Sequence, residues 1–172
     1  PNLFAPYYQG AAASLKELQD PAKGSGALTW IPEHDQIIRR MPMLVRVGDT
    51  LYPSLAADVL RLAQGASTLI VMSSGASSEQ AFGEKTGIAK VRIGAFEVPT
   101  EANGQMWLRF TPQSWDRYLP AWKVLAGEVP RKDIEGRIIL IGTSAAGLFD
   151  LRATPLDASV PGVELHAQAV EQ

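Results

Sequence analysis

A chain of 172 residues, 46% hydrophobic and 20% charged, is long and apolar enough to bury a core instead of staying disordered. Sixteen basic against 18 acidic residues leave a net charge of −2, without the basic excess or basic stripe of a nucleic-acid binder. With no Cys and only two His, His34 and His166, disulfides, thiolate catalysis and the common cysteine zinc sites are excluded.

The opening "PNLFAPYYQG" lacks Met and has neither the basic start nor the apolar core of a signal peptide, so it reads as part of a longer protein. "AAASLKELQD" suits a short helix ended by Pro21. "ALTWI", Ala27 to Ile31, reads as a short strand, and "PEHDQ" as a turn. Residues 37–47 read as extended chain in which Pro42 forbids an unbroken central strand. A well-buried helix is expected from Pro53 to Gln64, with Leu55, Val59 and Leu62 on one face and Gly65 as its stop.

"STLIVM", Ser67 to Met72, is a strand by composition, but far short of the ~20 apolar residues a membrane helix needs. The small, polar run Ser73 to Gly87 reads as an exposed loop. "IAKVRIG" alternates apolar and polar positions and forms a hairpin-like unit with "AFEVP". "QMWLRF" is a further strand, and "PAWKVLAG" a short helix with Trp122 and Leu125 on one side. "RIILIG", Arg137 to Gly142, is the most apolar strand and is expected to be central and buried. "VPGVELHAQAVEQ" supplies the last helix. Alternating strands and helices predict an α/β fold over residues 1–172: a single mixed-sheet domain with helices packed on the sheet.

In chain order, "PEHDQIIRRMPM", "YPSLAADVL", "GQMWLRF" and "IEGRIILIGTSAAGLFDLRATPLDASVPGVELHAQAVEQ" resemble the CHASE2 family over about residues 26 to 172. The last block is the most specific, with Gly142, Gly147, Asp150, Thr154, Pro155, Pro161, Gly162, His166 and Ala167 in order. The resemblance implies an extracytoplasmic sensor domain on the periplasmic side of a bacterial inner membrane, carried by a transmembrane receptor. Membrane helices would flank it, and the output would be an adenylate or guanylate cyclase, a histidine or Ser/Thr kinase, or a diguanylate cyclase. It also implies further strands ahead of Pro1, so that the domain is incomplete at its amino end. A homodimer through the full-length receptor, an unidentified small ligand, no nucleic acid, no cofactor and no metal complete the expectation. The family tends to have Asp-Gly where this chain has Asp35-Gln36, so that turn is expected to differ.

The loop after "RIILIG" is where ligands sit in open α/β sheets, beyond the carboxyl ends of strands. Small residues such as Gly147 allow backbone N–H groups to approach a ligand. Thr143, Ser144 and Asp150 add polar groups. With Arg39, Arg40 and His166 these are the candidate ligand-binding residues. The alternative is that the small residues serve packing, Asp150 organises a turn, Asp35 orders its own turn and an Arg forms an internal ion pair. Trp107 and Trp122 read as core.

An enzymatic reading needs Ser144 as nucleophile, His166 as base and Asp150 as orienter. "GTSAAG" is not a Gly-x-Ser-x-Gly elbow, because Ala146 occupies the second glycine site. His166 falls with Val163, Ala167 and Val170 on an apolar helix face, where a core role is the simpler one. Asp150, Glu164 and His166 make a poor metal set, since Glu164 and His166 are two apart on a helix and diverge. No catalytic residue is assigned. The readings carried forward are a ligand-binding sensor, a structural dimerisation module without a ligand, and a Ser/His hydrolase.

Overall fold

The computed structural model describes residues 4–74, 87–143, 148 and 150–172. Within them the chain is mixed α/β, but its strands form four small sheets and not the single mixed sheet expected. Residues 40–54 show how the split arises. Strand β2 (Arg40–Pro42) pairs antiparallel with β8 (Gln105–Trp107). Strand β3 (Leu44–Val47) pairs with β4 (Thr50–Pro53) on one side and in parallel with β1 (Tyr7–Tyr8) on the other. Met43 stands between them: its N–H goes to Gly104 on the β8 side, and its carbonyl accepts from Ser54. Pro42, with no N–H to give, ends one ladder where the next begins.

Helix α2 (Leu55–Ala63) begins two residues later than the sequence suggests, because Pro53 closes β4. Its N-cap is Ser54, whose buried hydroxyl accepts from the Ala57 N–H at 3.3 Å. Ala56 and Ala57 form its buried face, while Leu62 is exposed. Gly26 packs against the helix start so closely that an added Cβ would strike the Leu55 backbone. "ALTWI" forms no strand; only Ala27 bridges, to Ser54.

Strand β5 (Leu69–Ser74) pairs with β6 (Gly87–Ile93), which pairs with β7 (Phe96–Pro99) in the expected hairpin. The expected loop between β5 and β6 falls mostly outside the described residues. Gln64, at the end of α2, fastens the hairpin turn: its Nε2 donates to the Ile93 carbonyl and its Oε1 accepts from the Ala95 N–H.

Helix α1 (Lys16–Gln19) buries nothing, and neither does α3 (Ala121–Leu125). Two expectations fail in the second half of the chain. Trp107 and Trp122 are not core residues: they are 54% and 60% exposed. Arg137 to Thr143 form no strand, and Ile141 is 94% exposed. An apolar extended segment is buried only if neighbouring strands flank it, and the described residues set none beside this one.

The core instead gathers Ile38, Met41 and Leu44 with Ala56 and Ala57 of α2, Ile88, Val91 and Ile93 of β6, and Leu165 and Ala169 of the last helix, α4 (Gly162–Glu171). Helix α4 follows β10 (Val160–Pro161), paired antiparallel with β9 (Leu151–Arg152), and packs against α2.

Candidate functional site

Of the candidate residues in the carboxy-terminal block, Asp150 lies at the start of α4. The Asp150 carbonyl accepts from the Gly162 N–H at 2.8 Å, tying the approach of β9 to the first residue of the helix. A Cβ on Gly162 would lie 2.5 Å from the Asp150 carboxylate, so only glycine lets that carboxylate settle at the helix end. A negative group there complements the helix dipole. The carboxylate also pairs with Arg152 at 3.2 Å and is partly exposed. The loop enters this corner through Gly142, which lies directly against the Val163 side chain. Thr143 is exposed. Ser144 and Gly147 lie outside the described residues.

One turn further along α4, His166 is 4% exposed and lies over Trp30, ring centroids 4.4 Å apart and tilted by 40°. Its Nδ1 is buried without a hydrogen-bond partner. Burial holds the imidazole down to about 4 against a weaker opposing pull from Asp150, so the ring is neutral at physiological pH. Enclosed against Trp30, it is placed as a core side chain and not as a solvent-facing base.

The opposite side of α4 carries an unexpected polar stripe. Glu164 is buried and accepts from Arg117 Nη1 at 2.9 Å and from Gln168 Nε2 at 2.9 Å. Gln168 is buried as well, and its amide grips one residue of extended chain: Oε1 accepts from the Thr111 N–H, and Nε2 donates to the Thr111 carbonyl. Gln172 repeats the motif, its Oε1 accepting from the Arg109 N–H. Arg117 completes the network with Glu171 and the Thr111 hydroxyl. Burial, then the adjacent Glu164 carboxylate, push the Tyr118 phenol up. Thus α4 holds residues 109–118 by side chains, as a neighbouring strand would by its backbone. Sequence reasoning weighed Glu164 in a poor metal set and did not anticipate this network. The available signal was the Glu164, Gln168, Gln172 spacing, which aligns three polar groups on one helix face.

Arg39 and Arg40 lie elsewhere, in an ion-pair cluster. Glu33 receives both, at 3.0 and 3.1 Å, and Asp35 pairs with Arg39 at 2.8 Å. Arg40 also sits 5.0 Å over the Trp107 ring. The Arg39 guanidinium, then the Ile37 N–H, hold the Asp35 carboxyl down at about 2. Gln36 takes φ +63°, the left-handed conformation that glycine adopts most easily. The turn is closed by the Gln36 N–H to the Glu33 carbonyl and the Glu33 N–H to the Ile37 carbonyl. Gln36 therefore accepts a glycine's conformation in the place where the family tends to have glycine.

Among the described residues no group of three or more His, Asp or Glu side chains could hold a metal ion, and no helix is long and apolar enough to cross a membrane. Neither the curated proteins nor the solved structures contain a match to the chain. The family model of the CHASE2 domain matches residues 2–172, reaching well before the first recognisable motif and including β1, which pairs with β3. The chain therefore belongs to the CHASE2 family of extracellular sensor domains, non-catalytic input modules of signal transduction.

Proposed function

We propose that this domain is the periplasmic input of a bacterial transmembrane receptor whose output is a cyclase or a kinase, and that α4 carries the signal toward a membrane helix beyond it. The observation that carries this reading is the family match over nearly the whole chain. The position of α4 supports it: one helix touches the loop corner at Asp150, the core at Leu165 and the clamped segment at Thr111. A ligand that bound two arrangements of these contacts with different affinity would shift α4 between them. In this reading Asp150 is the polar group beside the helix start, and Thr143, Ser144 and Gly147 are the further ligand-binding candidates of the same loop. His166 senses that corner from within, while Arg39 and Arg40 hold the distant turn.

The test is Asp150→Asn in the intact receptor, read as output activity beside the folding of the domain. The expected result is altered output with unchanged stability. A receptor that folds and signals normally would remove the loop corner from the mechanism.

A structural dimerisation module is the second reading. It is favoured by the exposure of Trp115, Trp122, Leu125 and Ile141. Sedimentation across a concentration series separates the two readings: self-association abolished by Trp122→Glu and Ile141→Glu together supports the module.

A further inference from the structure

A cleft of about 230 Å³ opens beside α4, between residues 110–113 and the turn 154–157, and none of the candidate residues chosen from sequence lines it. Its apolar wall is made by Phe110, Pro112, Leu156 and Val160. Its buried polar groups are already committed. Gln168 spends both amide hydrogens on Glu164 and Thr111. Thr154 donates to the Asp157 carbonyl and accepts from the N–H groups of Leu156 and Asp157, which fills its hydroxyl.

Asp157 is different. It is exposed at the rim of the cleft, its carboxylate accepts the Ser159 N–H at 3.0 Å, and among the described residues no Lys or Arg pairs with it. A carboxylate has about four lone-pair sites, so most of its accepting capacity is open to solvent or to a ligand. An anion would meet this charge with no cation to offset it, since Arg117 is taken by Glu164 and Glu171. A cation with a short apolar body would find both halves of its chemistry here. The volume lies below the roughly 300–1,000 Å³ of sites for drug-sized ligands, which sets the occupant as small.

We propose that this cleft binds a small organic ammonium, its nitrogen at Asp157 and its hydrocarbon against Phe110, Leu156 and Val160. The proposal rests on the sensor reading, and it gives that reading a ligand class. The occupant would touch Gln168 and Val160, and so reach α4 and β10 directly.

The experiment titrates the 172-residue chain with n-butylammonium and, separately, with n-butanol, at constant ionic strength, following backbone amide resonances. Saturable shifts confined to residues 110–113, 154–157 and 168 are expected, with n-butanol roughly fivefold weaker or more. Asp157→Asn, which keeps an oxygen for the Ser159 N–H, should reduce n-butylammonium to the level of n-butanol. Leu156→Ala, at an exposed position, should weaken both probes together. Shifts that do not saturate, that map elsewhere, or that survive Asp157→Asn unchanged would overturn the proposal. The sensor reading fails separately: binding in the cleft with no change of output in the intact receptor keeps the site and removes its role in signalling.

Discussion

Two apolar stretches lie close together in this chain and meet opposite fates. Residues 137–143 carry three isoleucines and a leucine, and form no strand, with Ile138, Ile139 and Ile141 exposed. Helix α4 is interrupted by Glu164, His166 and Gln168, yet all three are buried. The difference lies in partners. The helix satisfies its own backbone and meets α2 on one side. Its polar side chains pair with Arg117 and with the Thr111 backbone on another. The apolar segment would need strands on both edges to be buried as a central strand, and the described residues provide none.

The sharpest way to break this comparison is to truncate one residue from each stretch. Leu165→Ala, at a position 1% exposed, should cost about 2–5 kcal/mol in urea unfolding. Ile141→Ala, at a position 94% exposed, should change stability by less than about 0.5 kcal/mol. Equal losses at the two sites would mean that the segment is packed after all.

Acid should act through α4 next. Because His166 is held near 4 in the folded protein and titrates at about 6.5 when unfolded, the unfolded chain binds the extra proton between those values. Stability is therefore full above pH 6.5 and falls as the pH drops toward 4, by roughly 3 kcal/mol from this residue. Unfolding curves across that range should show the slope in the wild type and lose it in His166→Phe.

A smaller loss is expected from Glu164→Ala. It leaves Arg117 and Gln168 without their shared acceptor, but Arg117 keeps Glu171 and some solvent, so about 1–3 kcal/mol is expected by the same denaturation. Amide exchange at Thr111 should speed up in parallel, because its hydrogen bonds run through Gln168. The last effect has the opposite sign. Gln36→Gly relieves a left-handed side-chain residue and should raise stability by about 1 kcal/mol, with the Asp35–Arg39 pair intact.

Much of the local structure was legible because it follows from spacing. The alternation of residues 88–93 marked β6, Pro42 marked the break between ladders, and the apolar positions around His166 marked it as a core residue. The glycine-like turn at Gln36 could be read only in part. The residue type pointed to a different turn, while the hydrogen bonds of Glu33, Asp35 and Ile37 hold it in the left-handed form.

What the sequence determined by itself was the family, the mixed α/β character and the main helices α2 and α4, because these rest on residue order and local periodicity. Only the tertiary structure decided that the strands divide into four sheets, that Trp107, Trp122 and Ile141 stay exposed, and that Glu164 and Gln168 are buried. Burial depends on which element lies opposite. A polar side chain with a long-range partner can enter the interior, and an apolar one without a neighbour cannot.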